Sequence, residues 1–336
     1  TRGTSRGANT HTAAVSGLTP ATFTGTATAG AATQLVLLAQ PSSVAQSGVA
    51  FGTQPALQLR DAYGNDVAQA GVAVTAAIAS GGGTLGGTTT LNTDAGGRAT
   101  FTNLSISGTV GDRTLLFSSA GMTGETSGTV SVAAGAASQL ALVVPPSATV
   151  QNGAALPTQP VLQLRDASGN DVTQGGISVT AAIASGGGAL GGTATVATNP
   201  GGQAIFTDLF ITATAGGRTL RFTSTGLADA TSGTVTVTAG APVSLGINAG
   251  DAQTAVAGSA VATPPCVIGR DVSNNPVSGV SVTFAVASGG GSVAGATATT
   301  DASGIATVGG WTLGSGGGGN PVAASSGSPT PGTLSA

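Results

Sequence analysis

The chain has 336 residues, enough for two to four domains, and only 6% of them are charged and 3% aromatic. Its nine cationic residues are all arginines, scattered along a chain of net charge −3, so there is no basic stripe of the kind that binds nucleic acid or an anionic membrane. The single cysteine, Cys266, excludes an internal disulfide, and no apolar run approaches the ~20 residues of a membrane helix, so membrane insertion is not expected.

Glycine contributes 57 residues without a period of three, which excludes a collagen helix. The hydrophobic fraction is 40%, with valine, isoleucine and threonine in short alternating runs, whereas disordered chains are poor in such residues. This composition favours many short strands joined by glycine-rich turns.

The first long stretch of this pattern predicts strands at 33–39, 55–60, 72–79, 98–106, 113–119 and 128–133, with a weaker one near 86–91. Apolar residues alternate within them, as at Val72, Val74, Ala76 and Ile78, which is typical of a strand with one face on a core. Turn residues such as Gly81–Gly83 separate the strands. About seven short strands in about 100 residues predict an immunoglobulin-like β-sandwich.

The chain overlays itself when it is shifted by 105 residues. Leu57–Ala62 returns as Leu162–Ala167, and Thr75–Gly83 returns as Thr180–Gly188. A third copy follows, with a two-residue deletion after Arg270-Asp271. We therefore predict an all-β chain of tandem immunoglobulin-like sandwiches arranged end to end as a rod, with repeat one at 30–134, repeat two at 135–239 and repeat three at 240–336.

Residues 1–29 do not begin a repeat. Gly3–Gly25 aligns with Gly314–Ala336 at a shift of 311, so residues 1–29 are expected to be the last strands of an incomplete domain. Two explanations are open. The chain is a piece of a longer tandem array, or it is a protomer whose hairpin completes a neighbouring subunit by strand complementation.

The joins between repeats are short. Thr28–Ala32, Ala133–Ala137 and Thr238–Pro242 lead from a last strand nearly straight into a first strand. A long glycine–serine linker would act as a random-coil tether, and these joins are too short for that. The sequence therefore predicts stiff end-to-end stacking.

The segments LQLRDAYGNDVAQAGVAVTAAIASGGG and TLNTDAGGRATFTNL carry characteristic turn and strand motifs. These motifs resemble the bacterial Ig-like domain of the invasin and intimin type, and the resemblance covers essentially the whole chain. Repeat three matches best, at Asp271, Asn275, Pro276, Gly279, Val280, Val282, Phe284, Thr300, Asp301, Gly304 and Ala306. Repeat two departs from it at Asn199-Pro200. The resemblance implies surface-exposed, non-catalytic modules of adhesins and related extracellular proteins.

One recurring turn carries oxygen ligands that calcium could use. Its residues are Asp61, Asn65 and Asp66 in repeat one, and Asp166, Asn170 and Asp171 in repeat two. Calcium needs six to eight oxygens, and repeat three has Pro276 in place of the last acid. Capping of the turn by Asx side chains explains the same residues, so both interpretations are kept.

Other single residues are expected to be structural. Arg60-Asp61, Arg165-Asp166 and Arg270-Asp271 predict an ion pair or a turn clamp in each repeat. His11 is predicted to be a surface residue, Cys266 a small buried filler with an intermolecular disulfide as the alternative, and Trp311 a core residue. No catalytic residue or cofactor is predicted.

The sequence leaves two functions in competition for an extracellular or cell-surface chain. The first is a non-catalytic segment of a fibre, stalk or filament whose subunits self-associate end to end or by strand complementation. The alternative is an adhesin segment whose loops bind a receptor or glycan, although few aromatic or charged side chains are available to form a pocket.

Overall fold

Every regular element that the structure describes is a β-strand. The computed structural model describes residues 6–327 and 332–334. The chain forms two compact units, Thr1–Ser138 with Arg165–Val172, and Gln139–Leu164 with Thr173–Ala336. The segment Arg165–Val172 belongs to repeat two by sequence but to the first unit by its contacts, so the repeat boundaries stay a prediction.

The first unit opens with a hairpin of β1 (Gly7–Ala13) and β2 (Ala21–Ala27). The strands of repeat one follow: β3 (Gln34–Ala39), β4 (Val44–Gln46), β5 (Ala56–Arg60), β6 (Ala73–Ser80), β7 (Thr84–Gly86), β8 (Thr90–Asn92), β9 (Arg98–Thr100), β10 (Ser105–Ser107), β11 (Gly111–Ser118), β12 (Glu125–Thr126) and β13 (Val130–Ala133). They form a three-stranded sheet β3-β5-β9, a sheet β4-β13-β11-β6-β8 with β12 beside β11, and a ribbon β7-β10.

Most predicted strands of repeat one are found within one or two residues. The weaker strand predicted near 86–91 was wrong, because Gly86 ends β7 and Thr90 begins β8, and β12 was not predicted. Two further expectations were wrong. The predicted strand at 98–106 is two strands, because β9 pairs with β5 whereas β10 pairs with β7. The buried side chains of Phe101 and Leu104 lie where the chain passes between these pairings. The sequence pattern also missed β4, which pairs in parallel with β13 over only three residues.

The second unit repeats this arrangement. Repeat two contributes β14 (Gln139–Val144), β15 (Thr149–Gln151), β16 (Val161–Arg165), β17 (Ser178–Ser185), β18 (Ala189–Gly191), β19 (Thr195–Ala197), β20 (Gln203–Ile205), β21 (Phe210–Thr212), β22 (Gly216–Thr223), β23 (Ala230–Thr231) and β24 (Val235–Thr238). Repeat three contributes β25 (Ser244–Ala249), β26 (Cys266–Arg270), β27 (Ser281–Val286), β28 (Gly291–Ala294), β29 (Thr297–Thr299), β30 (Ile305–Thr307), β31 (Gly310–Leu313), β32 (Val322–Ser325) and β33 (Gly332–Leu334).

The sheets of repeat two follow the topology of repeat one, and those of repeat three follow it except that its described residues form no counterpart of β4 or β13. Repeat two has β14-β16-β20, β15-β24-β22-β17-β19 with β23, and β18-β21, and repeat three has β25-β26-β30, β29-β27-β32-β33, and β28-β31. The fold is therefore the predicted one, an all-β chain of tandem immunoglobulin-like sandwiches. The part of the chain that the structure describes holds no helix with the length and apolar character needed to span a bilayer.

The cores of repeats one and two are built around a tilted pair of phenylalanines. The ring centroids of Phe101 and Phe117 lie 5.6 Å apart, as do those of Phe206 and Phe222. All four rings are buried, and such tilted contacts add to the stabilisation from burial.

Repeat three fills the same space with a different set of side chains. Phe117 faces Ala76 across β11 and β6, and Phe222 faces Ala181 in the same way. In repeat three the pair is inverted, because Phe284 on β27 faces Ala324 on β32. The large ring moves to the opposite strand while the small residue takes its place, which preserves core volume.

A buried arginine lies near the start of β11 and of β22 and bonds to nearby backbone carbonyls. The Arg113 guanidinium donates to the carbonyl oxygens of Gly82 at 2.8 Å, Asp112 at 3.0 Å and Thr109 at 2.6 Å. Arg218 makes the equivalent three bonds in repeat two. Backbone carbonyls thus satisfy a buried cation, and the equivalent residues in repeat three and the hairpin are Asn320 and Asn9.

The inverted pair gives a stability prediction for repeat three. Phe284→Ala leaves a cavity opposite Ala324 and is expected to cost about 3–5 kcal/mol of unfolding free energy. The double variant Phe284→Ala/Ala324→Phe recreates the arrangement of repeat one and is expected to recover at least half of that loss. Urea unfolding followed by the fluorescence of Trp311, the only tryptophan, reports on repeat three. A double variant no more stable than Phe284→Ala would contradict the inversion.

Candidate functional site

The same tight turn follows a long buried strand in every repeat. After β5, Asp61 N donates to the Asn65 carbonyl oxygen at 3.0 Å, and Gly64 N donates to the Asp61 carbonyl oxygen at 3.0 Å. Asp166 and Asp271 begin identical turns after β16 and β26. The turn requires a left-handed residue before the asparagine, which is Gly64 (φ 82°), Gly169 (φ 81°) or Asn274 (φ 66°).

The aspartate carboxylate organises the turn from inside. Asp166 Oδ1 accepts the N–H groups of Ser168 and Asn170, both at 2.9 Å. The Asn170 side-chain amide donates to Asp166 Oδ2 at 2.8 Å. Asp61 and Asp271 make the same set of bonds within their own turns.

The second carboxylate oxygen also binds the segment that leads into the repeat. It accepts the N–H of Gly30 at 2.9 Å on Asp61, of Gly135 at 2.7 Å on Asp166, and of Gly240 at 2.8 Å on Asp271. These glycines are spaced by 105 residues and lie in the short joins between repeats. Each turn therefore holds the join that precedes its own repeat.

The turn asparagine reaches further, to the loop of the preceding repeat that leads into β11 or β22. In the first unit, Asn170 Oδ1 accepts the N–H of Val110 at 2.9 Å, and its Nδ2 donates to the Gly108 carbonyl oxygen at 2.9 Å. In the second unit, Asn275 contacts Ala215 N at 2.7 Å and the Ala213 carbonyl oxygen at 3.0 Å. We call the aspartate and asparagine of each turn, together with these contacts, the Asp–Asn clamp.

The clamp of repeat one holds the start of the first hairpin. Asn65 Oδ1 accepts the backbone N–H of Arg6 at 2.9 Å, and the Arg6 side chain donates to the Asp66 carbonyl oxygen at 3.2 Å. Asn65 is half-buried, whereas Asn170 and Asn275 are buried. The same turn is thus used three times, against a complete repeat twice and against the hairpin once.

A further polar residue of the preceding repeat joins the clamps of repeats two and three. Ser47 shares a 3.1 Å hydrogen bond with Ser168 and accepts the N–H of Gly108 at 3.1 Å. Asn152 stands at the equivalent place in repeat two, donates to Asp271 Oδ2 at 2.9 Å and accepts the N–H of Ala213 at 2.8 Å. Sequence reasoning missed both residues, although their 105-residue spacing marks them as equivalent.

Hydrogen bonding lowers the pKa of the clamp carboxylates. The Asn65 side-chain amide, with the N–H groups of Gly30, Asn65 and Tyr63, lowers the pKa of Asp61 to about 2 against the opposing effect of burial. Burial raises the pKa of Asp166 and Asp271, but the donors around each carboxylate outweigh it, and the net pKa is lowered in both. The ionised carboxylate is therefore the form that the clamp stabilises.

The residues predicted as calcium ligands divide into two groups. Asp61, Asn65, Asp166 and Asn170 form the clamps, and their polar atoms already hold N–H donors or carbonyl oxygens. Asp66 and Asp171 point outward and pair with arginine, at 3.0 Å between Arg60 Nε and Asp66 and at 2.9 Å between Arg165 Nε and Asp171. Within the described ranges, no three Asp, Glu, His or Cys side chains gather as a metal site, and calcium binding stays a prediction.

The other predicted structural residues lie where they were expected, with one difference. His11 is exposed, and Cys266 and Trp311 are buried. The arginine of each Arg-Asp pair does not bond to the aspartate beside it in the sequence. It bonds instead to a residue on the far side of the turn, which is Asp66 for Arg60 and Asp171 for Arg165. In repeat three Arg270 donates to the Asn274 carbonyl oxygen at 2.9 Å, because Pro276 replaces the acid.

Similar folds are found among solved structures. An Escherichia coli adhesin, FdeC, is 19% identical with a TM-score of 0.38, over 91% of this chain and 98% of its own. Invasin, described as a bacterial integrin-binding protein, is 18% identical with a TM-score of 0.33, over 87% of this chain and 56% of its own. The D0-D1 domains of intimin are 19% identical with a TM-score of 0.23, over 61% and 98%.

No family model and no curated protein sequence matches the chain.

The lowered pKa of Asp61 predicts how stability responds to acid. The carboxyl group has a pKa of about 2 when folded and about 3.9 in an unfolded chain, so its contribution is complete above pH ~4 and is lost as the pH falls towards ~2. Asp61→Asn is therefore expected to lower the melting temperature at pH 7. As the pH falls from ~4 to ~2, the melting temperature of the wild type is expected to approach that of the variant. Circular dichroism melts across this range measure the difference, with the exposed Asp66→Asn as the control. A constant difference at every pH would count against the clamp.

The saturated clamp oxygens also predict the response to calcium. Because N–H donors already occupy the carboxylates of Asp61 and Asp166, we expect the melting temperature to be the same in millimolar calcium and in excess EDTA. A rise in melting temperature with calcium that is lost in Asp66→Asn/Asp171→Asn would instead establish calcium binding at the turns.

Proposed function

We propose that this chain is a non-catalytic stalk segment of an extracellular or cell-surface fibre, in which stacked repeats hold one another in a fixed orientation. The observation that supports this role best is the Asp–Asn clamp, which recurs in all three repeats. It binds both the join and a loop before a long strand of the preceding segment, as with Gly135 and Val110. A clamp on two separate segments restrains bending at the join.

The chemistry of the clamp suits a stalk. Asp166 and Asn170 are buried, and an amide or carboxylate that loses its partners in a buried site destabilises the protein by about 1–3 kcal/mol. Opening the join would expose these groups to water but would break several bonds at once. The restraint is directional because hydrogen bonds depend on angle, whereas an apolar contact tolerates sliding.

The alternative role, binding of a receptor or glycan through the loops, stays a prediction. FdeC is described as an adhesin and invasin as an integrin-binding protein, and those descriptions belong to those proteins. Screening the chain against glycan arrays and integrins tests it, and saturable binding lost on loop substitution would support it.

Small-angle X-ray scattering of the monomeric chain tests the stalk. A compact globule of 336 residues has a radius of gyration of about 20 Å, whereas three stacked modules, each about 35 Å across, give about 30 Å. We expect the larger value, and a value near 20 Å would contradict the stalk.

The clamp itself is tested by removing both buried asparagines. Asn170→Ala/Asn275→Ala is expected to leave each repeat folded. The distribution of interatomic distances from small-angle X-ray scattering is expected to broaden, because the joins bend more freely. The matched control is Asn103→Ala, which removes a turn asparagine that bonds only within its own repeat, to Thr88 N at 2.8 Å. An unchanged distribution in the double variant would remove the clamp from the proposal.

A further inference from the structure

One residue that joins the Asp–Asn clamp of repeat three differs in chemistry from its counterpart in repeat one. Asn152 stands where repeat one has Ser47, and each is followed by a glycine, Gly153 or Gly48. Asn152 is the only asparagine of the chain that precedes a glycine. An asparagine before glycine is prone to lose its side-chain amide in water, because glycine has no side chain to shield its backbone nitrogen from the asparagine.

The reaction needs water as its only partner. The Gly153 nitrogen loses its proton to solvent and attacks Asn152 Cγ, so that a new C–N bond closes a succinimide ring. The Cγ–Nδ2 bond breaks, and the departing nitrogen takes up a proton and leaves as ammonia. Water then opens the ring at either carbonyl carbon, which leaves an aspartate or an isoaspartate at position 152.

The folded structure opposes the first step of this reaction. The Gly153 N–H donates to the Ile211 carbonyl oxygen at 2.8 Å, which disfavours loss of its proton. The Asn152 side chain is held at both ends. Its Oδ1 accepts the N–H of Ala213 at 2.8 Å, and its Nδ2 donates to Asp271 Oδ2 at 2.9 Å. The side chain cannot turn towards the Gly153 nitrogen without breaking these bonds.

Burial also keeps water away from the reacting groups. Asn152 is 6% exposed, and Gly240 of the join lies against it. A Cβ placed on Gly240 would lie only 2.5 Å from the Asn152 carbonyl oxygen, so the join packs closely over this residue. Water therefore reaches Asn152 when the join moves away from repeat two.

The contact that restrains the Asn152 amide belongs to the set that holds the join. Asp271 Oδ2 accepts the Asn152 amide, the N–H of Gly240 and the side-chain amide of Asn275. Opening the join separates Asn152 from Asp271 and exposes its remaining bonds within repeat two to water. Such solvent-exposed bonds open far more readily than buried ones.

We propose that Asn152 is a deamidation site that the closed join protects and the open join exposes. The chain then accumulates aspartate or isoaspartate at this position in proportion to the time that the join spends open. The inference rests on the proposed stalk role, since it adds a modification that acts on the clamp of that stalk.

Either product keeps the join from closing again. An aspartate at position 152 has no amide to donate and brings a second negative charge to Asp271, and like charges in a buried site repel each other. An isoaspartate adds a methylene to the backbone beside the bond from Asn152 N to the Thr238 carbonyl oxygen, which is 2.9 Å long. Opening alone is reversible, whereas deamidation makes it permanent.

Incubation of the full chain at mildly alkaline pH tests the protection. Peptide mapping by mass spectrometry follows the formation of aspartate and isoaspartate at Asn152, and the chain unfolded in urea gives the unprotected rate. We expect the folded chain to react more slowly by roughly tenfold or more, because the reaction waits for the join to open.

Asn275→Ala tests whether the join supplies that protection. It removes the bonds to Ala215 and Ala213 but leaves Asn152 and Gly153 in place, so deamidation is expected to accelerate by roughly tenfold. Asn170→Ala, the same substitution in the clamp of repeat two, is the matched control and is expected to leave the rate at Asn152 unchanged.

A measurement on the wild type covers the case in which Asn275→Ala fails to fold. Hydrogen exchange at the Gly240 N–H, which bonds to Asp271 Oδ2 at 2.8 Å, reports how often the join opens in dilute urea. We expect the rate of deamidation at Asn152 to rise with urea in the same proportion as this exchange rate.

Asn152→Ser, which supplies the residue of repeat one, tests the consequence of the reaction. After the same incubation, the distribution of interatomic distances from small-angle X-ray scattering is expected to broaden for the wild type. It is expected to stay unchanged for Asn152→Ser, because serine has no amide to lose.

Equal rates in the folded and unfolded chains would overturn the inference, as would a rate at Asn152 that follows neither Asn275→Ala nor exchange at Gly240. A deamidated chain that scatters like the fresh one would also count against it. A monomer whose scattering indicates a rod, but whose deamidation is independent of the join, would leave the stalk proposal standing. A compact monomer with deamidation that depends on the join would do the reverse.

Discussion

The Asp166 carboxylate receives N–H donors from two different parts of the chain, and the organisation of the first unit depends on that arrangement. Ser168 and Asn170 donate from its own turn, while Gly135 donates from the join. A carboxylate is well suited to this role because its two oxygens can accept about four hydrogen bonds. A serine or an amide at the same place has fewer acceptor sites and would leave a donor of the turn or the join unsatisfied.

This use of charge explains how a chain with so few ionised residues remains well defined. Apolar contacts between segments resist sliding less than a directed hydrogen bond does. The buried charges are concentrated where segments meet. The clamp aspartates lie at the joins, and Arg113 and Arg218 tie the start of a long strand to neighbouring loop carbonyls.

The same backbone topology accommodates two different cores. Repeats one and two use a tilted phenylalanine pair, whereas repeat three places Phe284 on the opposite strand and Trp311 where the others have Leu104 and Leu209. The large and the small residue exchange strands in repeat three, while the order of the strands that the repeats share stays the same.

The sequence alone determined the fold class and the repeat, because alternation of apolar residues and turn glycines depends only on neighbours along the chain. It also placed Trp311 and Cys266 in the core and found the aspartate turn by its recurrence. It could not divide the stretch 98–106 into β9 and β10, since that division depends on which strand each half pairs with. Likewise, the pairing of Arg60 with Asp66, the bond from Asn170 to Val110 and the inversion of Phe284 and Ala324 join residues that only folding brings together. The local pattern thus determined the strands and turns. Only the tertiary structure decided which residues of the turn, the join and the core contact one another, because those contacts depend on distances in space rather than along the chain.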